Sequence, residues 1–229
     1  QARLTNSRML IVGMGGLGVP ASVYLALAGT GKLLINDFDC VDESNLARQP
    51  LYTRDDVGES KVAVAAERLA QLNPECSVTT IDRRIDTVEL RTVISDCDVV
   101  LDASDNFGTR FEVNAACVDC ATPLVSGAAI RGEAQLAVFR PDLESGPCYR
   151  CLYDESSEEM ENCRGQGVIP ALVGMIGCAM ALEAMRVVVG FGEAWHSKLL
   201  IHDAMNSTWR NIRLRRDRSC PVCSNTGSG

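Results

Sequence analysis

The sequence predicts an α/β chain with a doubly wound, mostly parallel sheet, an additional antiparallel C-terminal part and a structural zinc knuckle. Three observations carry this. Met9–Val12 are four apolar residues that run straight into the glycine cluster Gly13-x-Gly15-x-x-Gly18, with an extra glycine at Gly16. Strand-length apolar runs then alternate with helix-period segments as far as residue 128. Beyond that point the rhythm changes, and two C-x-x-C pairs follow, Cys148/Cys151 and Cys220/Cys223.

Taken in order, Met9–Val12 reads as a buried first strand and Val19–Ala28 as its helix, ended by Gly29 and Gly31. A strand, a glycine turn and a helix start in succession are a Rossmann-like phosphate site. Backbone N–H groups are unpaired there, and the helix dipole favours an anion. Lys32–Asn36 is the second strand, running into Asp37-Phe38-Asp39. The segment 42–54 is polar and irregular. Ser60 suits the N-cap of a helix over Lys61–Leu72, with Asn73-Pro74 as its stop. Strands follow at Ser77–Ile81, Val99–Asp102 and Leu124–Ser126, with helices at Thr87–Ile94 and Thr109–Cys120 between them.

Residues 1–128 thus form a nucleotide-binding half and 129–229 a second half, within one continuous domain. The second half begins with a strand at Glu133–Phe139 and the Cys148–Cys151 knuckle. An acidic, mobile crossover loop spans 154–167. A long helix over Ile169–Val189 precedes strands at Lys198–Asp203 and Thr208–Leu214, where Ile212 and Leu214 alternate with a solvated basic face, Arg213 and Arg215.

Composition narrows the class. A net charge of −8 argues against a general nucleic-acid or membrane-surface binder. The apolar stretch Gly167–Leu182 is too short for a membrane span and is cut by Glu183 and Arg186. An odd count of 11 cysteines, without a signal peptide, reads as thiols and metal ligands in the cytoplasm. The two C-x-x-C pairs offer four thiolates for a tetrahedral Zn²⁺ that would tie the end of the chain to its middle. Cys117-x-x-Cys120 sits in a helical pattern and reads as buried thiols; Cys40, Cys76, Cys97 and Cys178 default to packing. His196 and His202 read as structural or solvated. Cys163 lies beside Arg164 in the acidic loop, where a lowered pKa would suit a nucleophile.

Which nucleotide binds is less direct. Asp37 ends the second strand about 20 residues past the glycines, where an acid grips ribose hydroxyls; that suits NAD and ATP alike. Arg48 and Lys61 suit a triphosphate, although surface basic residues in a polar loop is the simpler reading of spacing alone. Asp105 follows the fourth strand and could hold Mg²⁺ against phosphates; Asp105 or Asn106 could equally cap the next helix.

Taken together, Gly13–Gly18, Asp37-Phe38-Asp39, Ser44-Asn45-Leu46-Ala47-Arg48-Gln49, Lys61, Asp102-x-x-Asp105-Asn106, Ser126-Gly127-Ala128-Ala129 and the two cysteine pairs resemble the ThiF/MoeB adenylyltransferases. These are bacterial relatives of ubiquitin-activating enzymes, and the resemblance covers nearly the whole chain. It implies ATP bound by Gly16, Asp37, Ser44, Asn45, Arg48, Lys61, Asp105 and Asn106. Asp37 would take the ribose, Arg48 and Lys61 the phosphates, Asp105 the Mg²⁺, and Cys148, Cys151, Cys220 and Cys223 the Zn²⁺. Catalysis would rest on Asp105, Arg48 and Lys61, with Cys163 in sulfur transfer. The implied substrate is the C-terminal carboxylate of a ubiquitin-like sulfur carrier ending in Gly-Gly, the implied assembly a homodimer, and a sulfurtransferase a further partner. Asn162-Cys163-Arg164 leans toward the thiamine-type member and Ser126–Glu133 toward the molybdopterin-type one. Family members carry an N-terminal segment whose arginine reaches the other subunit's nucleotide, and it would precede Gln1. The rival readings are an NAD-dependent oxidoreductase, which leaves Arg48, Lys61 and the cysteine pairs unexplained, and a zinc-stapled ATP-binding scaffold without turnover.

Overall fold

Strand alternation and side-chain caps set the layers of the molecule. The computed structural model describes residues 1–143, 146–154, 167–192 and 196–224. In chain order the elements are α1 (Ala2–Thr5), β1 (Arg8–Val12), α2 (Gly18–Leu27), β2 (Lys32–Asn36), α3 (Lys61–Leu72), β3 (Ser77–Ile81) and α4 (Thr87–Ser95). Then come β4 (Val99–Asp102), α5 (Phe107–Asp119), β5 (Leu124–Ile130), β6 (Glu133–Phe139), α6 (Pro170–Val189), β7 (Lys198–Asp203) and β8 (Thr208–Arg213). Single turns of 3₁₀ helix cover Glu43–Arg48, Arg54–Asp56 and Tyr149–Cys151.

The strands form one sheet in the order β3-β2-β1-β4-β5-β6-β7-β8. Pairing is parallel from β3 to β5 and antiparallel from β5 to β8. Successive side chains point to opposite faces. Met9, Ile11, Leu33, Ile35 and Leu101 pack on one face with residues of α2, α3 and α6. Leu10, Val12, Leu34 and Val100 pack on the other with residues of α4 and α5. Both faces of β1, β2 and β4 are covered, which is why these strands read as apolar runs, while the parallel edge strand β3 has no buried residue. The chain moves outward from β1 to β2 and β3, then crosses back to β4 on the other side of β1. The carboxyl ends of β1 and β4 therefore flank the switch point, the position at which open α/β sheets bind their ligands.

Several boundaries differ from the sequence expectation for identifiable reasons. α5 starts at Phe107, not Thr109, because Asn106 caps it: its Oδ1 accepts the Thr109 N–H at 2.9 Å. β5 continues past Ser126 to Ile130, since the antiparallel partner β6 pairs with it down to Ile130–Glu133. β8 is exposed along its whole length, with Ile212 44% exposed, so the alternation there does not bury one face. The helix α1 was not expected; four residues carry no periodic signal.

The apolar α6 is long enough to cross a membrane by length and composition, but Leu172, Val173, Ile176, Met180, Ala181 and Ala184 are buried inside the fold. Its Gly177 has a packing reason. A Cβ there would lie 2.4 Å from the Leu17 carbonyl oxygen, so only glycine lets α6 rest on the start of α2.

Candidate functional site

The glycine turn is built by backbone geometry that side chains would obstruct. Gly13 has φ +93° and donates its N–H to the Asn36 carbonyl at 2.8 Å. A Cβ on Gly13 would sit 2.8 Å from the Ala103 carbonyl oxygen, so the turn after β1 lies directly against the turn after β4. A Cβ on Gly18 would sit 1.8 Å from the Gly13 carbonyl oxygen, which seats α2 on the turn. The N–H groups of Gly15 and Gly16 have no partner among the described residues and lie at the start of α2. They are unpaired donors of the kind the sequence pattern predicts at this turn. Gly16 also has a packing reason: a Cβ there would be 2.6 Å from Val173 Cγ1 of α6 and 3.3 Å from the Arg48 carbonyl oxygen.

Around this turn the described residues bring together two acids and a buried lysine. Asp37 Oδ2 accepts the Met14 N–H at 2.7 Å, and Oδ1 accepts the Asp39 N–H at 2.9 Å. Burial pushes the Asp37 carboxyl up, opposed by Lys61 and these N–H groups. Lys61, the first residue of α3, has a side chain only 7% exposed. Its Nζ lies 2.9 Å from Asp39 Oδ2 and 4.0 Å from Asp37 Oδ2. A buried ammonium needs compensating charge, and the strand-end acids supply it. Sequence reasoning placed Asp39 in the motif without a role; its signal was an acid two positions beyond Asp37. The Tyr52 hydroxyl, which donates to the Met14 carbonyl at 2.9 Å, carried no signal.

The second wall is the 3₁₀ turn Glu43–Arg48. Asp42 caps it, accepting from the Ser44 N–H at 2.8 Å and the Ser44 hydroxyl at 2.5 Å, and these bonds hold its carboxyl below the ordinary range. Arg48 donates to Asn45 Oδ1 at 2.5 Å and to the Ser44 carbonyl at 3.2 Å. Ser44, Asn45 and Arg48 are thus one hydrogen-bonded group, placed beside Gly16 by the Arg48 backbone.

The third wall follows β4. Asp102 is fully buried and accepts from the Ser104 N–H at 3.1 Å and its hydroxyl at 2.6 Å. Asn106 is committed to capping α5. Asp105 is exposed and makes no hydrogen bond or ion pair among the described residues. A free carboxylate beside the glycine turn has the donor chemistry of a Mg²⁺ ligand, since Mg²⁺ takes one or two carboxylates and completes its shell with phosphate oxygens and water.

A separate cluster closes the C-terminal end. The sulfurs of Cys148, Cys151, Cys220 and Cys223 all lie within 4.8 Å of one another. Individual separations are 3.9, 3.7 and 3.4 Å. Four thiolates at Zn–S distances of about 2.3 Å would stand about 3.8 Å apart, so the donor set fits tetrahedral Zn²⁺. The Asp217 N–H donates to Cys151 Sγ at 3.4 Å. Hydrogen bonding from Cys148 and this N–H hold the Cys151 thiol down. Cys117 is buried, and burial pushes its thiol up, as expected for a packing cysteine. His202 is 8% exposed and stacks on Trp209 with ring centroids 4.1 Å apart. Cys163 lies outside the described residues.

Comparison with known proteins places these features in context. Residues 1–222 match the sequence model of the ThiF family. The chain is 43% identical over 228 residues to the sulfur carrier protein ThiS adenylyltransferase of Escherichia coli K12, covering 100% of this chain and 90% of that protein. It is also 43% identical over 223 residues to the molybdopterin-synthase adenylyltransferase of the same organism, covering 97% and 89%. The crystal structure of E. coli MccB with ATP matches with a TM-score of 0.86 and 26% identity, over 97% of this chain and 67% of that one.

Proposed function

The chain belongs to the ThiF family, and from that premise we propose that it uses ATP to adenylate the C-terminal glycine carboxylate of a ubiquitin-like sulfur-carrier protein, of thiamine type or molybdopterin type. The observation that carries the reading is the convergence of the glycine turn, the buried Lys61 and the Arg48 group at the switch point of the sheet.

The carrier carboxylate attacks the α-phosphorus, the bond from that phosphorus to the α,β-bridging oxygen breaks, and pyrophosphate leaves with the electron pair. The nucleophile is already an anion, so no general base is required. The work of the site is to bring two anions together and to hold them in line. The N–H groups of Gly15 and Gly16 and the guanidinium of Arg48 face the phosphates, and Lys61, held in place by its ion pairs with Asp39 and Asp37, adds a fixed cation. Asp37, whose carboxylate accepts the Met14 N–H of the turn, would serve the ribose. Asp105 would hold Mg²⁺, which supplies charge neutralisation on the triphosphate. The cysteine cluster would hold Zn²⁺ as a structural tie.

We place the enzyme in the cytoplasm as a homodimer, with a sulfurtransferase as a further partner. Tyr24 and Leu27 of α2 and Met175 and Leu182 of α6 are exposed apolar residues on adjacent helices, which supports a second copy as their cover.

The decisive experiment is carrier-dependent ATP–pyrophosphate exchange with each carrier type. The expected outcome is exchange with at least one, and its loss by roughly 100-fold or more in Asp105→Ala at an unchanged melting temperature. Tight nicotinamide binding without exchange would overturn the reading, and full exchange in Asp105→Ala would remove the metal role.

A further inference from the structure

We infer that Asn114 supports the zinc site from α5: its side-chain NH₂ donates to the metal-bound sulfur of Cys148 while its side-chain carbonyl holds the N–H of Tyr149. This rests on the zinc reading of the cysteine cluster and is independent of the adenylation reading.

Asn114 lies in the middle of α5 and is 1% exposed. Asparagine is a poor helix former, and a buried carboxamide costs free energy unless its polar atoms are paired. One half of the group is paired. Its Oδ1 accepts the Tyr149 N–H at 2.8 Å, at the start of the 3₁₀ turn Tyr149–Cys151 that follows Cys148. That bond fixes the orientation of the amide, because a backbone N–H can be met only by the oxygen. Nδ2 therefore occupies the other side, where it is buried without a well-formed hydrogen bond. Buried polar atoms are almost always satisfied, so an orphan donor asks for an acceptor.

The acceptor stands beside it. The nitrogen of Tyr149 is bonded to the carbonyl carbon of Cys148, so the carboxamide that holds this N–H is carried next to Cys148. The Cys148 thiol is pushed up by its Cys151 hydrogen bond and by burial, and the Asn114 side chain pulls it the other way. A donor within reach of the sulfur has that effect. A neutral thiol is a weak acceptor, whereas a metal-bound sulfur carries the negative charge that draws an N–H. Zn²⁺ binding thus supplies what the orphan lacks. The cluster already takes one bond of this kind, from the Asp217 N–H to Cys151 Sγ at 3.4 Å. The helix face agrees with the assignment. Arg110, four positions before Asn114, donates to the Tyr149 hydroxyl at 3.5 Å, so α5 holds Tyr149 at both ends. Groups that orient metal ligands in this way set how tightly the metal is held.

Zinc affinity is measured by chelator competition in the wild type and in Asn114→Asp, which keeps an acceptor for the Tyr149 N–H and loses the donor. The variant should bind zinc about 10- to 100-fold more weakly. In cobalt-substituted protein its sulfur-to-cobalt charge-transfer band should move to longer wavelength, because a hydrogen bond lowers the energy of the sulfur electrons. The direct measurement uses the wild type loaded with an NMR-active cadmium isotope. A proton–cadmium coupling across the N–H···S link is expected from the Asn114 side-chain NH₂, alongside one from the Asp217 N–H. An Asn114 that serves Tyr149 alone predicts wild-type zinc affinity and an unmoved band in Asn114→Asp, and no coupling from Asn114. Either result overturns the inference, and the missing coupling does so even if Asn114→Asp does not fold. Wild-type protein that takes up no zinc by metal analysis is a separate result, which removes the zinc reading and this inference with it.

Discussion

Asp102 is fully buried beneath the turn that presents Asp105. Burial pushes its carboxyl above the ordinary value of 3.8, while Arg110 and the Ser104 bonds pull the other way. The folded carboxyl therefore holds its proton more readily than the unfolded one. Its contribution to stability is fully present below the unfolded value and is lost as pH rises through the folded value. Asp102→Asn keeps an acceptor for the Ser104 N–H and removes the ionisation. The expected outcome in urea unfolding is a variant no less stable than the wild type near neutrality, with a flatter stability profile above about pH 4. An unchanged pH slope would show that the burial of Asp102 is fully compensated. This residue illustrates how legibility varies between neighbours. The acid pair Asp102/Asp105 was visible in the sequence, but which carboxylate is buried and which is free depends on the path of the turn, and spacing does not contain it.

At the scale of elements, the start of α5 separates two roles that the sequence left joined. Asn106 Oδ1 holds the Thr109 N–H, and Asp105 stands outside the cap. Asn106→Ala should then cost about 1 kcal/mol of stability, the ordinary value of an N-cap, while Asp105→Ala costs little in the same denaturation experiment. Equal losses would mean that Asp105 shares the cap. Strands β1, β2 and β4 were readable because a strand buried on both faces is a continuous apolar run, the edge strand β3 because its β-branched residues follow the Asn73-Pro74 stop, and Lys61–Leu72 because Ser60 and Asn73 mark its ends. The end of β5 was not, because Gly127 and the alanines after it carry no strand signal of their own; their extended form comes from pairing with β6. The burial of Lys61 was equally hidden. A lysine at a helix start reads as exposed until the strand-end acids are seen to fold over it.

At the scale of the molecule, the cysteine cluster joins two segments 72 positions apart, Cys148 and Cys220. The four thiols were legible because paired C-x-x-C spacing is a local pattern, and only the fold could show that the pairs meet. Their meeting matters because β7 and β8 lie between them in sequence and form the exposed edge of the sheet, where β8 buries none of its residues. An edge strand with so little burial depends on being tethered. Closing a loop of this length removes about 4 kcal/mol of chain entropy from the unfolded state, by the same reasoning that applies to a disulfide. With roughly 2–4 °C of melting temperature for each kcal/mol in a chain of this size, stripping Zn²⁺ with a strong chelator should lower the melting temperature by about 8–16 °C. Cys220→Ser should cause a similar loss, and the chelator should then add little to it. Hydrogen exchange should show the loss first at β7 and β8, with β1, β2 and β4 still protected. A chelator with no effect on melting, in protein shown by metal analysis to have held one Zn²⁺ and lost it, would mean that the sheet edge is held by the β6–β7 ladder alone.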